Sequence, residues 1–422
     1  MIGLACPGSE LIVVPEAWRI KKLKRIARLQ YGESLAASAR EEGLVEVFGS
    51  NGSVGTHERA NSIGPTIIVG RKGSFGKVVF SHHSCFCIDT AYFVDSRFTK
   101  ANLRWLFYAL QTLGLDAISQ DTGVPGLSRG AAHEMLLPEP PMSAQSLIAD
   151  FLDRKTAAID ALIANKQHQI ARLGEKRQAF LTRAVTQGVK THSILKESFV
   201  PQLGSIPAHW QVRPLRHHLN FIEQGWSPSC ENRPSEEIEW GVLKVGCVNG
   251  GMFDPSENKA LPPDLSPIEQ LEIKPGDVLV SRANTRELLG SAAIVEQTRP
   301  RLMLCDKLFR LRYKSEMTDP HFLVLALQAN HARWQIERDA TGTSDSMQNI
   351  GQDTLCRLML PWPSVEEQRR TASVVMEMSR SLAKIAITIR RQIHLLKEYR
   401  KTLITAAVTG QIEIAAQSQE AA

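Results

Sequence analysis

The feature that most constrains this chain is that it repeats itself. LTRAVTQG at 181–188 returns as ITAAVTGQ at 404–411, an offset of 223 residues. The same offset carries Leu137 and Pro138 onto Leu360 and Pro361, Pro140 onto Pro363, and Gln145 onto Gln368. It also carries Gln169 and Ile170 onto Gln392 and Ile393, and Leu173, Glu175 and Arg177 onto Leu396, Glu398 and Arg400. A register held without gaps over some fifty residues marks a duplication. A shorter correspondence, VPEAWRIKKL at 14–23 with IPAHWQVRPL at 206–215, runs at an offset of 192. Each half therefore opens on P-x-x-W and closes on the repeated element, while the segments between differ in length.

The repeated element is helical by period. In the second copy Ser364 and Glu367 form a capping-box pattern. Apolar residues then recur at Val375, Met378, Leu382, Ile385, Ile389, Ile393, Leu396, Tyr399, Leu403 and Ala407, in steps of three and four. The first copy keeps the phase with Ile148, Leu152, Ile159, Leu162, Ile170, Leu173, Phe180 and Ala184, interrupted by Lys155, Lys166 and Arg177. Neither run holds a proline, and each ends near a glycine, Gly188 or Gly410. Roughly forty residues at ~1.5 Å each make a rod of about 60 Å. Such a seam needs a partner helix, and the economical partner is the other copy, antiparallel in a chain that must return.

Between the helices the pattern changes. Residues 44–95 and 238–313 carry short β-like runs (TIIVG, KVVF, VLVS, AAIV, LFRLR) separated by Gly, Asn, Asp and Pro, and helical patches follow at 101–113 and 320–336. The expected fold is α+β: two strand-rich mixed domains, separated and joined by two long helices forming an antiparallel coiled coil. The expected boundaries are a first domain at 1–142, a helix at 143–190, a second domain at 191–363, a helix at 364–412 and a disordered tail at 413–422.

Motifs for chemistry are scarce. GRKGSFGKVVF at 70–80 resembles a kinase glycine loop but has Arg71 where the first glycine belongs, and no H-R-D or D-F-G follows. A PD…E-x-K string at Pro263, Asp264, Glu272 and Lys274 has the residue types of a magnesium-dependent nuclease. It lies in a proline-bounded loop leading into the turn KPGD, where adjacent strands are not expected. No P-loop, H-E-x-x-H, G-x-S-x-G or D/N-P-P-Y/F string occurs. Seven cysteines without a C-x-x-C suggest reduced, buried thiols rather than disulfides or a zinc ribbon. SHHSCFC at 81–87 is the one local ligand-like cluster, with no second cluster to complete a tetrahedral site. No metal or cofactor is expected in this chain. ELIVVPEAW is too short to span a bilayer and no stretch of ~18 apolar residues exists elsewhere, so no membrane partner and a cytoplasmic location are expected.

Binding signals are better developed. A net charge of +6 leans weakly toward a polyanionic partner. GSNGSVGTHERA at 49–60 and GRKGSFGK at 70–77 set Ser50 and Asn51 and backbone amides beside Arg59, Arg71, Lys72 and Lys77, a mixture suited to phosphate oxygens. SRANTREL at 281–288 stands at the analogous place in the second half, with Arg282, Asn284 and Arg286 in side-chain types that read base edges. DTGVPGLSRG at 121–130, with Thr122 and Arg129, and DATGTSDSMQNIG at 339–351, with Thr341 and Thr343, form a further pair of T-G loops. Taken singly, each is also compatible with a glycine-rich hairpin and a solvated rim. The basic run RIKKLKRIARL at 19–29 reads as a solvated strand or helix face.

The combination resembles the specificity (S) subunits of type I restriction-modification systems over essentially the full length. The strings that carry it are VFGSNGSVG, IIVGRKGSFGKVVF and CIDTAYFV in the first half, and LKVGCVNGGMF, IKPGDVLVSRANTRELLGSAAIV and CDKLFRLR in the second. LMLPWPSVEEQRRTASVV and LITAAVTGQI complete it. The resemblance implies a noncatalytic reader of double-stranded DNA, each domain reading one half of a bipartite gapped target while the paired helices set the gap. It implies two methyltransferase (M) subunits docked largely on the rod, joined by restriction/motor (R) subunits. S-adenosylmethionine, ATP and Mg would then belong to those partners. The alternatives are a standalone DNA-cleaving or DNA-methylating enzyme with its own recognition domains, and a structural coiled-coil protein, which leaves the strand-rich segments without a purpose. Two departures stand out: the T-G pairs are offset by 219 rather than 223, an insertion of four residues, and MIGLACPGSEL has no assigned counterpart.

Overall fold

A computed structural model of the chain describes residues 2–4, 12–117, 125–190, 193–344 and 347–414. The chain divides into two compact units, one formed by 1–168 with 389–422 and the other by 169–388. Both contain part of each long helix, Met142–Gln187 and Val365–Val408.

In the first unit a four-stranded antiparallel sheet runs in the order Gln30–Tyr31, Ala91–Val94, Thr66–Gly70, Val78–Ser81. Its central strands are apolar throughout because both faces are covered; Ile67, Ile68, Val69 and Val94 are all buried. Beside it lies a three-stranded sheet in which the hairpin of Val45–Gly49 and Gly52–His57 gains the short parallel strand Phe86–Cys87. The strand Arg19–Lys22 pairs antiparallel with Leu136–Glu139, joining the P-x-x-W opening to the residues that precede the long helix.

The second unit repeats this plan. Leu219–Gln224, Leu308–Tyr313, Val278–Ser281 and Ala292–Ile294 form its four-stranded antiparallel sheet in that order. Asn258–Ala260, Gly241–Leu243 and Leu302–Met303 form the three-stranded one, again with one parallel pairing. Gln211–Pro214 pairs with Met359–Trp362 so that Leu360 faces Arg213 and Pro361 faces Val212. Leu137 facing Lys21 and Pro138 facing Ile20 are the same pairs moved by 223 and 192 residues. The duplication thus extends through the strand-rich segments, where the sequences have diverged. Among the described residues, the second unit also carries a small sheet of Thr341–Ser344, Met347–Asn349 and Ala283–Asn284, and a helix Asn330–Arg338. Among the described residues of the first unit, a bridge joins Lys72 to Gly126.

The two long helices run antiparallel within each unit. In the first, Arg400 pairs with Asp160 at 2.9 Å and Lys166 Nζ donates to Gln392 at 2.7 Å. Ile159 and Ile163 of one helix, and Ile389 and Ile393 of the other, are nearly buried. In the second unit Leu181, Ala184 and Val185 join Ala372 and Val375 in one core cluster with the sheet. The capping-box pattern forms only in half: Ser364 Oγ accepts from Glu367 N at 3.3 Å, while the Glu367 carboxylate meets His209 at 3.0 Å. Both helices end as the glycines predict, with Gly188 at φ 78° and Gly410 at φ 75°.

Matching glutamines tie each sheet to its long helix. Gln145 accepts from Asn102 N at 2.8 Å and donates to Pro140 O at 2.9 Å. Gln368 accepts from Asp319 N at 2.8 Å and donates to Met317 O and Pro363 O. Asn102 and Asp319 are the N-caps of Leu103–Gln111 and Pro320–Gln328, so one buried amide fixes a helix start to a helix start. In the first unit Arg104 adds a pairing to Asp153 at 2.6 Å while lying over the rings of Phe80, Phe107 and Tyr108. No helix among the described residues is long and apolar enough to cross a membrane.

Candidate nucleic-acid interface

The kinase-like stretch forms the hairpin between Thr66–Gly70 and Val78–Ser81. Gly76 N donates to Gly70 O at 2.8 Å, and Gly73 and Gly76 adopt φ of 71° and 77°. A β-carbon on Gly76 would collide with the backbone of Leu115 and Asp116, so glycine is required there. Lys77 Nζ spans the hairpin mouth to Asn51, bonding its carbonyl at 2.7 Å and its Oδ1 at 2.9 Å. Ser50 lies against Gly70 and Gly73. Ser50, Asn51, Lys77 and the exposed Lys72 thus come together on one rim.

Arg71 stands at the end of the central strand. Its N–H bonds Thr90 O at 2.9 Å, its carbonyl accepts from Leu127 N at 2.8 Å, and its Nη1 donates to Asp89 O at 3.0 Å. The guanidinium lies over Tyr31 at 4.9 Å and Tyr92 at 5.9 Å. Arg129 lies over the same Tyr31 at 4.5 Å. Two cations therefore share one half-exposed ring, an arrangement that keeps both guanidinium planes oriented. Burial, with Tyr31 alongside, pushes the Tyr92 hydroxyl above its ordinary value, and the hydroxyl donates to Leu127 O at 2.9 Å.

Arg282 occupies the equivalent place in the second unit. Its N–H bonds Lys307 O at 2.8 Å, its carbonyl accepts from Ile350 N at 2.9 Å, and its Nη1 reaches Asp306 O at 3.4 Å. Each of the partners Asp306, Lys307 and Ile350 matches a partner of Arg71 in position. Phe309 stands where Tyr92 stands, 6.0 Å from the guanidinium. The position of Tyr31 is taken by Gln224, which donates to Asp306 O at 3.4 Å, and Ser227 Oγ donates to Asp306 Oδ1 at 2.5 Å.

The remaining candidates are more dispersed. Arg59 lies over Phe86 at 5.7 Å with Glu33 at 4.0 Å, in the three-stranded sheet. Asn284 donates to Asn249 Oδ1 at 3.2 Å and accepts from Thr285 N at 2.9 Å. Arg286 is exposed, its carbonyl held by Arg333 Nη2 at 3.2 Å. Thr341 Oγ1 donates to Asn349 O at 3.3 Å, and Thr343 belongs to the same strand. Thr122 lies outside the described residues. Sequence reasoning missed Tyr31 and its counterpart Gln224. The signal for them was faint: Y-G-E-S at 31–34 and Q-G-W-S at 224–227 align at an offset of 193, one residue from the offset of the P-x-x-W match.

The candidate catalytic and metal strings are used otherwise. Glu272 accepts from Arg301 N at 2.8 Å, and Lys274 N is capped by Asp277 at 2.9 Å. Cys85 and Cys87 are buried with their sulfurs 3.8 Å apart, while His82 and His83 are exposed. Their mutual hydrogen bond holds the Cys85 thiol down at about 7 and, with burial, drives that of Cys87 far upward. Among the described residues no group of three or more His, Cys, Asp or Glu could hold a metal ion.

Fold and site together define a duplicated scaffold with an oriented arginine at the same point of each repeat. The family model for the type I restriction modification DNA specificity domain matches residues 15–172. The EcoEI specificity subunit of Escherichia coli is 30% identical over 45% of this chain and 33% of its own length. The MjaVIII specificity subunit of Methanocaldococcus jannaschii is 26% identical over 74% of this chain and 70% of its own. The match to the first of these spans only about a third of that subunit. A solved chain from a study of complex assembly and conformational transition of the type I R-M system superposes with a TM-score of 0.65. The superposition covers 95% of this chain and 100% of that one at 15% identity, a likeness of fold. Residues 15–172 are thus similar to the DNA specificity domain of type I restriction-modification systems, and a likeness to curated specificity subunits extends over 74% of the chain.

Proposed function

We propose that this chain reads a bipartite, gapped sequence in double-stranded DNA, each unit taking one half. The observation that carries the reading is the matched setting of Arg71 and Arg282, each placed by two backbone hydrogen bonds and turned by a third from its guanidinium. An arginine held in this way is prepared to meet a guanine edge with two donors. We assign DNA contacts to Ser50, Asn51, Arg59, Lys72, Lys77 and Arg129 in the first unit and to Asn284, Arg286, Thr341 and Thr343 in the second; Thr122 is assigned by its loop alone.

The functional division follows the sequence boundaries, with recognition domains at 1–142 and 191–363, spacer helices at 143–190 and 364–412 and a tail at 413–422. The paired helices set the gap and receive two methyltransferase subunits, which restriction/motor subunits join. S-adenosylmethionine, ATP and Mg act on those partners, in the cytoplasm. The test is genome-wide mapping of methylated adenine in cells expressing this chain with its neighbouring methyltransferase gene, and each alone. A single gapped two-part motif confined to the co-expressing cells is expected. Methylation by the partner alone, or magnesium-dependent cleavage by this chain alone, would overturn the reading.

A further inference from the structure

The basic run at 19–29 does more than present a solvated face. It lines an open groove of about 960 Å³ in the first unit, whose cations are Lys21, Lys24, Arg25, Arg28, Arg97 and Lys100. Three of these are paired: Lys21 with Glu139, Lys24 with Glu134 at 2.5 Å, and Arg97 with Asp95 at 2.5 Å. Arg25, Arg28 and Lys100 are exposed and have no acidic partner among the described residues. Glu139, the sole acidic side chain lining the groove, is already neutralised. A second cavity of about 500 Å³ shares Lys24, Arg25 and Arg28 and is closed by Gln30, Arg129 and His133. The basic lining is therefore continuous with Arg129, the neighbour of Arg71 across Tyr31.

The surplus of positive charge is felt locally. Burial, then the charges of Arg129 and Lys24, and Arg28 more weakly, hold His133 below its ordinary basicity against the pull of Glu134. The second unit carries its unpaired charge on other residues: Arg213, Arg216 and Lys314 stand where Lys21, Lys24 and Arg97 stand, without an acidic partner among the described residues. The offset of 192 puts His217 and Asn220 where the first unit has Arg25 and Arg28. Met317 stands two residues before the cap Asp319, as Lys100 stands two before the cap Asn102. All three unpaired cations are thus replaced by residues without a fixed charge.

We propose that this groove grips the sugar–phosphate backbone of the DNA beside the first half-site. The inference rests on the DNA-reading function proposed above. An open, polar, uncompensated groove suits a polyanion whose charges recur along a strand, and its continuity with the Arg71 and Arg129 pair places that strand beside the bases being read.

The test measures Kd for a duplex of arbitrary sequence between about 50 and 200 mM salt. It uses the full chain assembled with its co-expressed methyltransferase, because the grip on phosphates does not depend on sequence. R25A/R28A/K100A is expected to flatten the slope of log K against log salt by up to ~2.7, about 0.9 for each phosphate no longer neutralised. R25K/R28K should keep the slope, and H217A/N220A should leave it unmoved. The three single alanine variants, each expected to lower the slope by about 0.9, carry the test if the triple variant does not fold. Wild-type binding with a slope unmoved by these changes overturns the groove alone. A variant that keeps the slope but no longer assembles with the methyltransferase assigns the groove to an acidic protein surface and overturns the proposal. Absence of wild-type binding to any duplex removes the DNA reader, and the groove's role with it.

Discussion

Arg71 and Arg282 share backbone partners but differ in the ring beneath them, and that difference sets what each substitution should cost. Arg71 is oriented by Tyr31, Tyr92 and the Asp89 carbonyl, whereas Arg282 has only Phe309 at a greater distance and a longer bond to Asp306. Arg71→Ala and Arg282→Ala should each weaken specific binding by about 1–3 kcal/mol, with relaxation confined to one half of the methylated motif. Motif mapping in cells carrying each variant checks this, and a loss spread over both halves would reassign the residue to phosphate binding. Tyr31→Leu should weaken the first half-site alone, since it frees two guanidinium groups at once. Two histidines offer a different readout. His331 is fully buried with neither ring nitrogen bonded, and burial lowers it to about 4; His218, stacked on Trp362 at 3.4 Å, falls to about 4, chiefly by burial. The unfolded chain binds these protons near pH 6.5 and the folded chain only near 4, so stability is fully present above about 6.5 and declines as pH falls toward 4. The loss is on the order of 3 kcal/mol for each histidine. Urea denaturation of wild type and His331→Leu between pH 7 and 4.5 should show a shallower acid decline in the variant, and equal slopes would remove His331 from the account.

Elements repeat more faithfully than the residues that build them. The long helices were legible in the sequence because a seam in steps of three and four survives substitution of its individual members, and the glycine stops carry their own geometry. The strand-rich segments showed strands but not their order, since a parallel pairing such as that of Val45–Gly49 with Phe86–Cys87 joins segments tens of residues apart with no local mark. Of the candidate site, the hairpin glycines and the paired arginines stood out by type and spacing. Tyr31 did not, because its place is taken by glutamine in the second half and only the glycine beside it and the serine two residues further on are shared. The matched glutamines were visible as a repeated letter, Gln145 and Gln368, yet their role is three-dimensional. Each satisfies the first residue of one helix and a carbonyl ahead of another. Gln368 bonds two carbonyls where Gln145 bonds one, so Gln368→Ala should destabilise more than Gln145→Ala, each within about 1–3 kcal/mol per buried group left unpaired. Urea midpoints of the two variants rank them, and a larger loss at Gln145 would show that the added bond to Met317 contributes nothing.

At the scale of the whole molecule, on the proposed function, duplication supplies like readers and the helices supply their separation. A duplicated reader needs no sequence kinship between its halves, only a common frame in which each can change what it reads. The offsets of 223 and 192 recur in strand pairing, while the helix caps stand 217 residues apart and the two arginines 211, so the frame is kept although the lengths between its parts have changed. The helices are then the only part whose length should alter the target without altering either half-site. Inserting seven residues after His168 and seven after Thr388 adds a full heptad to each helix at corresponding heights, keeping the buried seam in phase. It lengthens the pair by about 10 Å at ~1.5 Å per residue. With base pairs about 3.4 Å apart, the gap in the methylated motif should grow by up to about three base pairs while both half-sites stay as they were. Inserting four residues in one helix alone breaks the seam and should abolish methylation rather than shift the gap. An unchanged gap in a folded, active double-insertion variant would mean that the spacing is set by the recognition units, and the helices would then serve assembly only.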